Sequence, residues 1–289
     1  MKIVNIIGGL GNQMFQYAFA ISLKIAYPDE DIMIDTHHFK KYELHNGYEI
    51  DKIFSQNISI PIASKKDLLR LTYYVPNYKL SRLIRKVFPK LKTEYIEPIN
   101  YLYHPEVYKF THEDIYYEGF WQSYKYYQPI ADELRKVFVF KDINSANNLF
   151  AKQIISCESV GLHIRRGDYL NHKDYQGICD IDYYKRAIEH INPKDKSFYV
   201  FSNDLEWCKE NITPLLKGAS CCFVDLNKGS NSYYDIYLMS KCRYLIIANS
   251  SFSWWGAFLN TEVKEVVAPK KWINRSHDFD IYLPEWIKF

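Results

Sequence analysis

Between residues 144 and 269, short β-branched and aromatic runs alternate with helix-period segments, and that rhythm leaves few folds open. A helix near 144–155 leads to strand 159–164 (SVGLHI), helix 182–191 to strand 197–202 (SFYVFS), and helix 204–210 to strand 221–225 (CCFVD). Helix 232–240 then precedes strand 243–248 (RYLIIA), and helix 252–259 precedes strand 265–269 (EVVAP). Strands joined through helices at this spacing pair in parallel, so the pattern predicts a doubly wound α/β sheet. The N-terminus opens in the same way. Strand 2–7 breaks at glycines, a helix runs from Gln13 to about Ala26, and strand 31–35 follows. A chain of 289 residues suits two α/β domains with a cleft between them, here 1–140 and 141–289.

Composition narrows the class of function. A formal net charge of +3 demands no nucleic-acid partner. No run of about 18 apolar residues is present, and the N-terminal apolar run is too short for a signal peptide or a span. The six cysteines form no C-x-x-C pair and lie partly in apolar runs, which reads as reduced thiols of a soluble cytoplasmic protein. The 26 tyrosines are either core and surface filling or sugar-stacking surfaces, and composition does not choose between them.

Four segments carry candidate chemistry. The loop from Gly8 to Gln13 (GGLGNQ) lies between a strand and a helix, where backbone N–H groups converge on an anion or merely make a tight turn. His163-Ile164-Arg165-Arg166-Gly167-Asp168 ends a predicted strand, where α/β sheets bind ligands. Its arginines offer fixed charge and forked donors suited to a pyrophosphate. Strand alternation puts His163 and Arg165 on one face. Ser202-Asn203-Asp204 and Asn249-Ser250-Ser251-Phe252 end the neighbouring strands, as helix caps or as a second phosphate cradle. Asp235, in a helix's first turn, suits the helix dipole. Asp-x-Asp occurs at 29–31, 180–182 and 278–280, but none follows an apolar strand, so no metal site is expected.

Residues 64–92 differ from the rest. Nine Lys or Arg face one acid, Asp67, and Leu80, Leu83, Ile84, Val87 and Phe88 fall at helical spacing. The segment is a solvated helix with its stripe on the core, a peripheral contact with anionic membrane, or a contact with another anionic partner.

Taken in order, GGLGNQMFQYA, YYEGFWQS, HIRRGDY, FSNDLEWCK and IIANSSFSWWGA resemble the galactoside alpha-1,2-fucosyltransferases of glycosyltransferase family 11, bacterial type, over almost the whole chain. The resemblance implies a GT-B fold of two Rossmann-like domains facing a cleft, an acceptor-side N-terminal domain and a C-terminal domain that binds GDP-fucose. It implies inverting transfer from GDP-beta-L-fucose to the 2-hydroxyl of a terminal galactose, without metal or other cofactor. By motif, Arg165 would grip the departing diphosphate, and His163 and Asp235 would hold guanosine. Ser250, Ser251 and Phe252 would cradle phosphate, and Asp204 would lie on the nucleotide side. Gly11 and Asn12 would approach the phosphate or the sugar. Asp168 is the nearest carboxylate for a base, or else orients Arg165; Glu118 and Asp35 are the other candidates. A different linkage, such as alpha-1,6, and a GDP-sugar-binding protein without turnover are the competing readings. The expected setting is the synthesis of bacterial surface glycans.

Overall fold

The computed structural model describes residues 1–41, 45–55, 57–75, 77–276 and 278–289. They divide into two compact units, Met1–Lys141 and Asp142–Phe289.

The first unit runs β1 (Lys2–Asn5), α1 (Leu10–Ala26), β2 (Ile32–Asp35), α2 (Ile50–Ile53), α3 (Lys65–Leu71), α4 (Tyr78–Val87), β3 (Glu94–Ile96), β4 (Ile115–Glu118) and α5 (Ala131–Val137). Its four strands are parallel in the order β2-β1-β4-β3. Helix α1 is buried nearly all round, yet it carries two glutamines at 0% exposure. Burying an amide is costly unless its donors and acceptor are satisfied. Gln16 accepts from the Ile7 N–H at 2.9 Å and donates to the Gly119 carbonyl at 3.0 Å, tying the loop after β1 to the loop after β4. Gln13 donates to the carbonyls of Gly8 and Gly47 and accepts from the Glu49 N–H. Phe19 stacks on Trp121 at 3.9 Å. Tyr17, Tyr116, Tyr117, Tyr127, Tyr183 and Tyr184 are fully buried, so much of the tyrosine content is core.

The second unit runs α6 (Ser145–Ile155), β5 (Ser159–Ile164), α7 (Ile181–Ile191), β6 (Ser197–Ser202), α8 (Leu205–Asn211), β7 (Ser220–Phe223), α9 (Tyr233–Met239), β8 (Tyr244–Ile246), α10 (Ser251–Phe258), β9 (Glu265–Ala268) and β10 (Ile287–Lys288). All six strands are parallel, in the order β10-β9-β8-β5-β6-β7. From β5 the chain first builds outward through β6 and β7. It then returns to the other side of β5 to lay down β8. The reversal makes the junction of β5 and β8 a topological switch point, beyond whose C-terminal strand ends open α/β sheets form their ligand crevice.

The structure departs from the sequence reading at a helix start and in one alternative for residues 64–92, and it adds an element at the C-terminus. Helix α1 begins at Leu10, not Gln13, because the extended Gly9 starts the turn and its carbonyl accepts from the N–H groups of Asn12 and Gln13. Gly11 and Asn12 are therefore first-turn helix residues and not loop. Beyond the last expected strand, the chain buries Trp272, Ile273, Ile281, Tyr282 and Trp286 and adds a strand. The Trp254 indole N–H donates to the Ile281 carbonyl at 2.8 Å, which pins α10 to this segment. Finally, the stripe Leu80, Leu83, Val87 and Phe88 faces solvent and not the core. All six cysteines are free thiols. No helix among the described residues is long and apolar enough to cross a membrane.

Gly119 is required by contact. A Cβ there would lie 2.5 Å from the Glu97 Cβ and 2.9 Å from the Trp121 ring. Glu97 cannot retreat, since its carboxylate accepts from the N–H groups of Phe120 and Trp121 at 2.7 and 2.8 Å. We expect Gly119→Ala to cost about 1–3 kcal/mol, the usual penalty of overpacking, read as a lower urea midpoint. An unchanged midpoint would mean the Glu97 clamp yields freely.

Candidate active site

The β5/β8 crevice gathers most of the candidate residues. β5 is buried along its whole length and delivers His163. Gly167 turns the chain after it with φ +57, and its missing Cβ would sit 2.7 Å from the Asn203 amide nitrogen. Asn203 also accepts from the Arg166 N–H at 2.9 Å, so the loop after β6 holds the loop after β5.

The two arginines diverge. Arg166 is committed inward: its Nε donates to Asp204 at 3.0 Å and its guanidinium lies 3.9 Å over the Trp207 ring. The other Asp204 oxygen accepts from the Trp207 N–H and caps α8. Both Asp204 oxygens are thus engaged within the protein, and the residue acts by holding Arg166. Arg165 projects the other way. Its Nη2 pairs with Asp168 at 2.8 Å and its guanidinium lies 5.4 Å over the Tyr169 ring. Two lateral contacts fix the group while leaving it a third exposed, which suits a cation that must meet a ligand.

His163 is buried, and its Nδ1 has no hydrogen-bond partner among the described residues. Burial drives its pKa down to about 3, and the Arg165 charge pushes the same way, so the imidazole is neutral. Its ring lies 5.9 Å from Phe252, in the first turn of α10. Ser250 is the extended N-cap of that helix, but its side chain does not cap it. The first-turn N–H groups, with the positive end of the helix dipole, remain for another acceptor. A hydrogen bond from the Ser250 side chain opposes the upward shift that burial gives the Tyr169 phenol, linking the loops after β8 and β5. Asn249, beneath the cap, donates to the Trp272 carbonyl and accepts from Cys179.

Asp235 lies in the first turn of α9. Burial pushes its carboxyl up to about 7, against a hydrogen bond from Asn227 to Oδ1 at 2.8 Å. Asn227 is itself held by a reciprocal amide pair with Asn147. Neither asparagine stood out in the sequence, since nothing in an isolated Asn marks it as the support of a carboxylate eight residues away.

In the first unit, Asn12 accepts from the Gln122 amide at 2.8 Å. Asp35 accepts from the His37 ring, the His37 N–H and the Tyr116 hydroxyl, and is 1% exposed. Glu118 pairs with Arg85 at 3.0 Å. Of the three carboxylates considered as a base, Asp168 is the most exposed. Asp180 caps α7, accepting from the Tyr183 N–H. Among the described residues no three His, Cys, Asp or Glu side chains gather as a metal-ligand set.

The description Glycosyl transferase family 11 matches residues 1–289. The chain is 32% identical to an alpha-1,2-colitosyltransferase of Escherichia coli over 99% of this chain and 98% of that one. It is 25% identical to galactoside alpha-(1,2)-fucosyltransferase 2 of Mus musculus, covering 89% of this chain and 67% of the relative. Among solved structures, the alpha-1,6-fucosyltransferase NodZ of Bradyrhizobium, soaked with GDP-fucose, matches with a TM-score of 0.50 at 12% identity, over 92% of this chain and 93% of that one. With the two parallel sheets, that likeness gives the chain a GT-B type fold.

The carboxyl of Asp235 yields a test that needs no ligand. It keeps its proton to higher pH folded than unfolded, so its contribution to stability is full below about 4 and is lost as pH rises through about 7. Asp235→Asn keeps the shape and removes the charge. Its melting temperature should gain on the unaltered protein as pH is raised from about 5 to about 8. Parallel melting curves across that range would show that the carboxylate is solvated without cost.

Proposed function

The chain belongs to glycosyl transferase family 11, and from that premise we propose that it transfers L-fucose from GDP-beta-L-fucose, with inversion, to the 2-hydroxyl of a terminal galactose. One observation carries the reading. A buried neutral His163 keeps an unpaired Nδ1 in the crevice that Arg165 and the uncapped end of α10 flank. Such a site suits a nucleoside diphosphate. The names of two relatives support a 1,2 linkage, and that of the Mus musculus relative supports fucose.

In this reading the acceptor oxygen bonds to C1 of fucose as the C1–O bond to the β-phosphate breaks. The electron pair leaves with GDP, and the acceptor hydroxyl gives up its proton. Arg165 neutralises the charge growing on the diphosphate, and the N–H groups of Ser251 and Phe252, after Ser250, share it. Asp168 positions Arg165 and, as an exposed carboxylate, is the assigned acceptor of the proton. His163 holds the nucleoside. Asp235 accepts the adjacent N1–H and N2–H of guanine, which restores its charge. Asp204 contributes as a positioning residue through Arg166. No metal takes part.

Arg165→Ala should fold normally and lose roughly 3 kcal/mol or more of transition-state stabilisation, about a hundredfold in turnover. Near-normal turnover would remove the leaving-group role. EDTA should leave the rate unchanged, whereas loss restored by manganese would point back to an Asp-x-Asp pair. GDP affinity should fall as pH drops below about 7, where Asp235 takes up its proton, by up to about tenfold per unit. That part of the slope should vanish in Asp235→Asn.

The 32% identity to a colitosyltransferase favours one second reading, in which the donor is GDP-colitose and lacks the 3-hydroxyl of fucose. Both donors should be offered with a panel of beta-galactosides, and released GDP measured with the product linkage. Turnover with GDP-fucose to a 2-linked product supports the proposal. Turnover with GDP-colitose alone establishes the second reading, and a different linkage refutes both.

A further inference from the structure

Helix α4 is mounted the wrong way round for a soluble amphipathic helix. Such helices turn their apolar stripe to the core and their charges to water. Here Ser81 is buried, and the Arg85 guanidinium reaches into the unit to pair with Glu94 at 3.1 Å and Glu118 at 3.0 Å and to donate to Thr72 at 2.9 Å. With that face fastened by ion pairs, the stripe points outward: Leu80 is 49% exposed, Leu83 57%, Val87 71% and Phe88, just past the helix, 54%. Positions 80, 83 and 87 fall on one face. Leu69, on α3, is also exposed.

Exposed lysines accompany the stripe. Lys66, Lys79, Lys86 and Lys92 are exposed and make no ion pair among the described residues. The one acid of residues 64–92, Asp67, is engaged in a capping box with Ser64. The segment carries nine cations against that one acid, while the whole chain is only +3, so the remainder of the chain is net negative. Apolar side chains left in water gain roughly 25 cal/mol per Å² when covered. A cover must therefore be apolar within and anionic at its edge. A second copy meeting the same face would bring the lysines against one another, which charge disfavours.

We infer that α4 is a membrane-docking helix: it lies in the headgroup region of an anionic phospholipid bilayer, with Leu80, Leu83, Val87 and Phe88 inserted and the surrounding lysines on the phosphates. One short helix gives a reversible attachment. It uses none of the residues proposed for the donor.

Co-sedimentation of the full chain with vesicles tests this. The protein should bind vesicles of phosphatidylcholine mixed with phosphatidylglycerol, bind those of phosphatidylcholine alone at least about tenfold less, and be released by high salt. Leu83→Ser with Val87→Ser should lower binding to the mixed vesicles about tenfold, as should Lys79→Glu with Lys86→Glu. All four positions are exposed, so both variants should fold and keep their turnover on a soluble acceptor. Failure to bind the mixed vesicles overturns the inference. So does binding that the serine variant leaves unchanged, which would be adsorption without insertion. A dimer in sedimentation velocity that the serine variant dissolves, without vesicle binding, would give the face to a second copy instead.

Discussion

The parallel pairing of β5 with β6 on one side and β8 on the other governs the second unit. Parallel neighbours cannot be joined by a hairpin, so each crossover runs through a helix and every strand ends at the same edge. That edge receives His163 and Arg165 from β5, Asn203 and Asp204 from β6, and Asn249 to Phe252 from β8. β8 is laid down beside β5 only after β6 and β7, so their junction is a topological switch point, where open α/β sheets bind ligands. The arginine loop and the uncapped helix end owe their shared location to chain order, not to any attraction between them.

The first unit uses the same topology to a different end. Its reversal lies between β1 and β4, but the Gln16 amide bridges the two loops that follow those strands. Glu97 adds a clamp on Phe120 and Trp121 from the neighbouring strand end. Several polar groups there are satisfied internally, although Asn5 Oδ1, at the end of β1, and Trp121 Nε1 have no partner among the described residues. In the second unit His163 Nδ1 likewise has none, and Asp235 holds a carboxyl at a cost in folding. Stability and binding compete for the same groups.

The regular part of the fold was legible because its signal is local. Strands 159–164 and 197–202 are found at the residues where β-branched and aromatic runs put them. The last eighteen residues were not, because Trp272, Ile281, Tyr282 and Trp286 are scattered among polar and charged residues with no period, and their burial depends on a surface made elsewhere. The helix start at Leu10 was hidden by glycines, which read equally as loop and as N-cap. Helix α4 exposes a limit of another kind. Its apolar spacing is plain in the sequence, but which face turns inward was decided by Arg85 finding two carboxylates, Glu94 and Glu118, from β3 and β4. In the candidate site, Arg165 and His163 could be located from strand position alone. The commitment of Arg166 to Asp204 and Trp207, and the support of Asp235 by Asn227, required the tertiary structure.

The Trp254 indole that holds α10 bonds to the Ile281 carbonyl and packs against Trp286. A ribosome that has just completed α10 has not yet made either residue. The nascent helix can form its own turns, but its first-turn N–H groups have no fixed aim until synthesis has passed residue 286 and that segment is free to fold back. The arginine loop on β5 must wait in an unfinished sheet for the same event. The binding crevice is therefore among the last features of the second unit to acquire its shape, and a chain stalled short of that point would carry every proposed donor-site residue without the arrangement that gives them affinity.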